Sequence, residues 1–170
     1  MRRNNNRVLA IDPGARELGV AVLDGTELVY YGVKTLKSYR PKRALQQAVS
    51  DVLNRLIVEY NVKVIVYEDG HFSQIASDLY NSVLDTICSV AKQRKLTLKH
   101  YTPKTVRKYA CGDGKATKRK TATILITRYP ELSILLDQKY RWKEKYWMNA
   151  FDAIALGLTH VLATKEGNRR

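Results

Sequence analysis

The chain has 170 residues, of which 30 are lysine or arginine and 16 are aspartate or glutamate, giving a formal net charge of +14. Its length suits one domain with a full core, and the 45% share of hydrophobic residues is typical of a globular protein. So large a positive charge, spread along the chain rather than gathered on one amphipathic helix, favours nucleic acid over a membrane as the partner.

The two cysteines and the N-terminus predict where the protein acts. Cys88 and Cys111 are far apart and lack metal-type spacing, so we expect reduced thiols. The N-terminus has no apolar signal segment, and no apolar run is long enough to span a membrane. We therefore expect a cytoplasmic protein without a membrane partner, associated with nucleoid or viral DNA. An organellar origin stays open.

The first predicted strand, residues 8–11, is entirely apolar and ends at Asp12, before the turn residues Pro13 and Gly14. A strand that is apolar on both faces belongs in the middle of a sheet. A carboxylate at its end is partly dehydrated, and it either caps the turn or binds a cation. Other carboxylates beside Asp12 would decide between these two roles.

The next elements predict a second strand-terminal acid. Strands at 19–23 and 28–33 follow, joined by the hairpin signal Asp24-Gly25. Pro41 opens a helix with apolar residues at helical spacing, and a strand at 62–67 ends at Glu68. A helical crossover makes this strand parallel to the first, which places Asp12 and Glu68 at the same edge of the sheet.

The rest of the chain predicts mainly helices. A second helix has an apolar stripe, from Ile75 to Val90, wide enough for the sheet on one side and a partner subunit on the other. The elements after it are a strand at 96–101, a helix from Pro103, a basic loop at 111–120, a helix at 121–129, an irregular segment at 132–146 and a final helix. We expect one domain, 1–170, with loose basic tails at 1–7 and 165–170.

A third acid, Asp152, comes from the final helix. Its neighbours are small or apolar, so an unpaired carboxylate there would be costly. Asn149 lies three residues earlier and shares its helix face. The element order predicts an α/β fold with a five-stranded mixed sheet, three antiparallel strands and then two parallel ones, flanked by helices. This fold brings Asp12, Glu68 and Asp152 together.

The motifs resemble, in their order and spacing, those of the RuvC-type Holliday-junction resolvases of the RNase H-like and retroviral integrase superfamily. They are Ile11-Asp12-Pro13-Gly14, the strand ending in Glu68, the helix start at 102–108, the loop Gly112-x-Gly114-x-Ala116-x-Lys118 and the helix at 149–156. The match spans nearly the whole chain. It implies an RNase H-like fold, a homodimer, and symmetric cutting of four-way DNA junctions with two Mg²⁺ ions per site, for which Mn²⁺ can substitute. Branch-migration machinery would be a further partner.

The resemblance also implies roles for single residues. Asp12, Glu68 and Asp152 would be catalytic carboxylates that bind the metal ions, since hard oxygen ligands suit Mg²⁺ and Mn²⁺. Lys118 matches a catalytic lysine near the scissile phosphate, where it would offset developing charge. The alternative for Lys118 is a solvated loop lysine.

The sequence departs from the family pattern at Asn149, where relatives commonly have an acid or a histidine. Asn149 can ligate a metal through its carbonyl oxygen but brings no charge, so we expect weaker occupancy of one metal site or a preference for Mn²⁺. Asp69 would compensate only if it faced the site, which strand alternation argues against. Glu144 is a more distant candidate for an acid that compensates for Asn149.

Several residues are expected to bind DNA. Phe72 resembles a family aromatic that stacks at the open centre of the junction, although it could equally staple the following helix. His71 either contacts phosphate or is only solvated, and His160 is interpreted as a helix-end residue. The basic candidates, together with the segment 139–145, are Lys104, Arg107, Lys115, Lys118, Arg119 and Lys120. They would position the DNA without reading its sequence, in a salt-dependent manner.

Two other functions stay open from the sequence. The same fold could cut flaps, replication forks or RNA–DNA hybrids, because a fold does not specify a substrate. A catalytically silent junction-binding protein is the third interpretation, favoured by Asn149 and opposed by the three acids.

Overall fold

The computed structural model describes residues 6–39, 41–70 and 78–167. Within these ranges the strands are β1 Val8–Asp12, β2 Glu17–Asp24, β3 Glu27–Thr35, β4 Val64–Glu68 and β5 Thr97–Tyr101. The helices are α1 Lys42–Tyr60, α2 Asp78–Gln93, α3 Pro103–Cys111, α4 Lys118–Arg128, α5 Ser133–Leu136 and α6 Arg141–Gly167. A 3₁₀ turn, Pro130–Leu132, precedes α5.

The strands form one mixed sheet in the order β3-β2-β1-β4-β5. The first three strands are antiparallel, and β4 and β5 run parallel to β1. The five-stranded mixed sheet expected from the sequence is thus confirmed. Ile11 pairs with Tyr67 across the parallel β1–β4 ladder, so the residues that follow them, Asp12 and Glu68, end neighbouring strands at the same edge.

Side-chain alternation along the central strands decides which face each acid occupies. Leu9, Ile11 and Ile65 belong to the core beneath α1 and α2, whereas Ala10 and Val66 belong to the core beneath α6. Because successive strand residues point to opposite faces, Asp12 and Glu68 fall on the α6 side of the sheet. The helix that carries Asp152 therefore covers the same face.

Helix α4 begins earlier than its sequence indicated. The basic stretch 111–120 predicts a loop, and three cations in the first turn of a helix are unfavourable beside the positive end of its dipole. The Thr117 side chain accepts a hydrogen bond from the backbone N–H of Lys120 at 3.2 Å, and this cap starts the helix at Lys118. Residues 118–120 are consequently held on a rigid element.

Three other boundaries differ from expectation. Most of the segment 132–146 is helical, because the buried Leu132 and Leu135 anchor it to the core. Helix α6 continues to Gly167, so residues 165–167 are not a loose tail. Arg7, expected in a loose arm, pairs with Asp24 at 3.1 Å. No helix in the described part of the chain is long and apolar enough to cross a membrane.

The apolar stripe of α2 is used within the chain. Val83, Ile87 and Val90 are buried in the core shared with α1. These three residues therefore do not form the subunit interface that the width of the stripe suggested. A charge at Val83 would test folding rather than dimerisation, and Ile75 lies outside the described residues.

Gly19 of β2 sets how closely α6 approaches the sheet. A Cβ at this position would lie 2.0 Å from the backbone oxygen of Asn149, which cannot rotate away. We expect Gly19→Ala to lower the melting temperature by about 5–10 °C, since overpacking costs roughly 1–3 kcal/mol or more. Gly167→Ala is the control, because a Cβ added there would meet no atom of the described residues within 4 Å. An unchanged melting temperature for Gly19→Ala would contradict this close packing of α6 against β2.

Candidate active site

Three carboxylates converge where α6 crosses the edge of the sheet. Asp12 and Glu68 end β1 and β4, and Asp152 lies on α6 with only 12% of its side chain exposed. The acid-bearing turn of α6 is otherwise apolar, with Phe151 and Ala153 fully in the core. The tight packing holds Asp152 against the strand ends.

Burial raises the pKa of all three carboxylates, and neighbouring acids add to the shift for Asp12 and Glu68. Burial raises the pKa of Asp12 well above its usual value, and the charges of Asp152 and Glu68 raise it further. The pKa of Glu68 is raised by burial and then by Asp152. Burial also raises the pKa of Asp152, although Lys118 opposes that shift. Three like charges in so dry a place favour a cation.

Two basic side chains supply part of the balancing charge. The Lys118 ammonium is hydrogen-bonded to Asp152, and although burial acts to lower its pKa, the carboxylates outweigh burial and the pKa is raised. Arg107 of α3 lowers the pKa values of Glu68 and Asp152 by its charge. One small recess is lined by all four of these side chains: Glu68, Arg107, Lys118 and Asp152.

The next two residues of α4 are also paired with acids. Arg119 forms an ion pair with Glu144 of α6, and Lys120 lies 3.5 Å from Asp113. Each cation in this first turn is more than half exposed, so a phosphate can reach it from solvent. Exposed backbone N–H groups at a helix start add to such an anion-binding surface.

The donor set suits a hard divalent ion. Carboxylate oxygens are the preferred ligands of Mg²⁺ and Mn²⁺, and mutual repulsion among the acids is relieved by a cation. Within the described residues, no group of three or more His, Cys, Asp or Glu side chains already has the arrangement needed to hold a metal ion. Instead, Lys118 shares the space with the acids and pairs with one of them.

The acids that could have compensated for Asn149 are engaged elsewhere. Asp69 lies 3.2 Å from His100, on the side of β4 that alternation predicted, and Glu144 is paired with Arg119. The Asn149 amide itself donates to the backbone oxygen of Tyr146 at 2.9 Å. This bond uses the amide nitrogen and leaves the carbonyl oxygen as the atom available to a metal.

The other predicted residues are distributed around this centre. Lys104 and Lys115 are exposed, on α3 and on the loop before α4. His160 lies inside α6 rather than at its end and hydrogen-bonds the Tyr101 hydroxyl at 2.9 Å. His71 and Phe72 lie outside the described residues.

Tyr80 is a neighbour of the site that the sequence did not reveal. Its hydroxyl is hydrogen-bonded to the backbone of Gly70, and burial raises its pKa, with contributions from Asp12, Asp69 and Glu68. In the sequence Tyr80 is simply part of the apolar pattern of α2. Only the close approach of α2 to the β4 end brings it to the acids.

A mixed sheet with acids gathered at the ends of two parallel strands and on a crossing helix defines a metal-dependent nuclease of the RNase H-like class. A profile of the family "Crossover junction endodeoxyribonuclease RuvC" matches residues 8–160. The chain belongs to this RuvC family, whose members depend on divalent metal ions and resolve Holliday junctions.

Individual relatives match over most of their length. The RuvC of Akkermansia muciniphila is 27% identical and is aligned over 92% of this chain and 91% of its own. The RuvC of Helicobacter pylori strain P12 is 30% identical over 94% and 98%, respectively. The structure of Thermus thermophilus RuvC has a TM-score of 0.77 with 19% identity, covering 95% of this chain and 96% of its own. The expected RNase H-like fold is thereby confirmed.

Proposed function

We propose that this chain hydrolyses phosphodiester bonds in opposing strands of a four-way DNA junction, with Mg²⁺ held by Asp12, Glu68 and Asp152. The convergence of these three acids beside Lys118 is the observation that carries the proposal. The net charge of +14 favours a polyanionic substrate. Thermus thermophilus RuvC, a structural neighbour, has been solved in complex with Holliday junction substrate.

The three acids would serve as ligands for two Mg²⁺ ions. Two such ions supply an activated water and stabilise the attacking and leaving oxygens of phosphate hydrolysis. Asp12 and Glu68, held on rigid strands, would fix the position of the ligand oxygens. Asp152 would complete the set from α6, and Asn149 would offer its carbonyl oxygen one helical turn away.

Lys118 would change partners during the reaction. Released from Asp152, the Lys118 ammonium would hold an oxygen of the scissile phosphate and offset the charge that develops there. Arg107, whose charge acts on Glu68 and Asp152, and the exposed Arg119 and Lys120 of the same α4 turn as Lys118 would hold flanking phosphates. Their contacts position the strand and carry no base information.

We also propose a homodimer, because the substrate has two opposing strands to be cut symmetrically. Two opposing strands must be cut, and the described part of one chain has a single cluster of the three acids. A two-fold symmetric dimer would present two identical sites. Light scattering should therefore give twice the chain mass in solution, and a monomer that makes paired cuts would contradict the dimer.

Replacing Asn149 with aspartate tests the departure from the family pattern. We expect Asn149→Asp to lower the Mg²⁺ concentration needed for half-maximal cleavage by about tenfold, because ligand charge sets affinity for hard cations. The substitution should also reduce any preference for Mn²⁺ over Mg²⁺. Asn54→Asp, on α1 away from the acids, is the control. Unchanged metal curves would show that position 149 does not ligate.

The central experiment compares a synthetic four-way junction with a matched duplex, a flap and an RNA–DNA hybrid, each with Mg²⁺, Mn²⁺ or EDTA. We expect paired, symmetric nicks in the junction that disappear with EDTA. Cuts confined to flaps or hybrids would keep the chemistry and overturn the substrate. Tight junction binding without cuts under any metal would favour a binding protein.

A further inference from the structure

Two aromatic rings near the start of α6 are exposed to solvent. Trp142 is 65% exposed and Tyr140 is 49% exposed, although both are large apolar side chains. The other tryptophan of the chain, Trp147, is half-buried against the core. The centres of both rings lie within 5.7 Å of the Lys143 ammonium, and contiguous exposed apolar surface is typical of interaction sites. The proposed site uses neither ring.

The side chains around the two rings are mostly basic. The Lys143 ammonium lies 5.6 Å from the ring centre of Trp142 and 5.7 Å from that of Tyr140, and Lys139 lies 5.5 Å from the Tyr140 ring. Arg141 and Lys145 are exposed within the same segment. Its one acid, Glu144, is neutralised by Arg119. Residues 139–145 therefore form an aromatic–basic patch that suits a partner with flat rings and negative charge.

The aromatic–basic patch lies on the same helix as Asp152, one of the three acids. Trp142 precedes Asp152 by ten residues on one continuous helix, which places it about 15 Å along the axis and roughly 80° around it. At 3.4 Å per nucleotide of a DNA strand, this distance corresponds to about four nucleotides. A strand whose phosphate lies at the acids can therefore reach the patch.

We propose that the aromatic–basic patch is a second DNA-binding site, at which an unpaired base stacks on Trp142 while Lys139 and Lys143 hold its phosphates. Stacking requires an exposed base face, and bases next to a branch point can be unpaired, whereas bases within a duplex arm are already stacked. This inference rests on the proposed function, because it takes the DNA strand held at the acids as its starting point. It adds a contact that would select opened branch points over intact duplex.

Tryptophan fluorescence tests the proposal without cleavage. In EDTA, the full-length Trp147→Phe variant keeps Trp142 as its only tryptophan, and Trp142→Phe keeps only Trp147. We expect oligothymidylate and a four-way junction to quench Trp147→Phe in a saturable manner, and a matched linear duplex to quench it much less. Trp142→Phe should respond weakly to all three. Equal quenching by duplex and oligothymidylate would overturn stacking.

Binding measurements complete the test. Trp142→Ala should weaken binding of oligothymidylate by about tenfold or more, as expected for loss of a base–aromatic stack. Val58→Ala, equally exposed but on α1 across the sheet, should change nothing. Thermal melts would verify that both variants fold.

The outcomes separate this proposal from the proposed function. Junction cleavage with no quenching of Trp142 and no loss of affinity in Trp142→Ala would overturn the patch and leave the resolvase intact. Quenching by anionic lipid vesicles but not by DNA would also overturn it. Failure of the wild-type chain to cut any junction would count against the proposed function, while the oligothymidylate titration still decides the patch.

Discussion

Replacement of Asp12 by asparagine should abolish junction cleavage and at the same time stabilise the metal-free protein. Asp12 is the most strongly perturbed acid of the site: burial raises its pKa, and the charges of Asp152 and Glu68 raise it further. Asparagine keeps a carbonyl oxygen but loses the negative charge that holds a hard cation, and a metal clamp contributes several kcal/mol to the transition state. We expect cleavage to fall by at least about 10³-fold.

The stability gain follows from the direction of the pKa shift. A carboxyl group whose pKa is raised on folding costs no stability at a pH below its unfolded pKa. The cost grows as the pH rises from the unfolded to the folded pKa, and it is complete above the folded pKa. At neutral pH the wild-type chain bears this cost, and Asp12→Asn does not. In EDTA, Asp12→Asn should melt at a higher temperature than the wild-type chain, by about 2–4 °C for each kcal/mol of unfolding free energy gained. This difference in melting temperature should disappear at acidic pH, where Asp12 is protonated in both states.

Asp51→Asn provides the control for this experiment. Asp51 is exposed on α1 and bonded only to Gln47 among the contacts described, far from the three acids. Its substitution should leave cleavage and melting unchanged. If Asp12→Asn melted at or below the wild-type temperature in EDTA, the destabilising burial of a charged Asp12 beside Asp152 and Glu68 would be refuted, whatever the effect on cleavage.

Removal of the Lys118 ammonium should lower the rate and yet ease metal binding. In Lys118→Met the aliphatic length of the side chain is retained, but Asp152 loses its hydrogen-bonded cation. We expect cleavage at saturating Mg²⁺ to fall by about 10²–10³-fold, the usual effect of removing one group that stabilises transition-state charge. The Mg²⁺ concentration for half-maximal activity should fall, because no ammonium competes for Asp152.

The same turn of α4 contains a matched control. Lys120 is as exposed as Lys118, but its partner is Asp113 at 3.5 Å rather than one of the three acids. Lys120→Met should weaken DNA binding slightly and leave the metal curve unchanged. A parallel loss of rate in both variants would show that Lys118 contributes only general positive charge. A higher Mg²⁺ requirement in Lys118→Met would contradict competition for Asp152.

The sheet and the three acids could be predicted from the amino-acid sequence alone. The apolar run of β1, the crossover through α1 and the acids at both strand ends predicted the parallel pairing of β1 with β4. The structure then adds the register of this ladder, in which Ile11 pairs with Tyr67 and the acids that follow end side by side. Asp152 could be added because an acid within an apolar helix needs a partner.

The pairing of the charges around these acids depends instead on how the helices pack. Lys118, Arg119 and Lys120 belong to the basic stretch that predicts a loop, and cations are unfavourable at a helix start. They are tolerated in α4 because carboxylates from α6 and from the preceding loop neutralise them. Those partners are 34, 25 and 7 residues away in the chain, a separation that no local pattern encodes.

The packing of the helices also decides how the apolar stripe of α2, Tyr80 and the ring of Trp142 are covered or exposed. A hydrophobic pattern predicts that a side chain is buried, but it does not predict which part of the protein buries it. Val83 is covered by α1 within the chain, whereas Trp142 is left open on α6. Coverage depends on the relative positions of whole elements, and these are set by packing between residues far apart in the sequence.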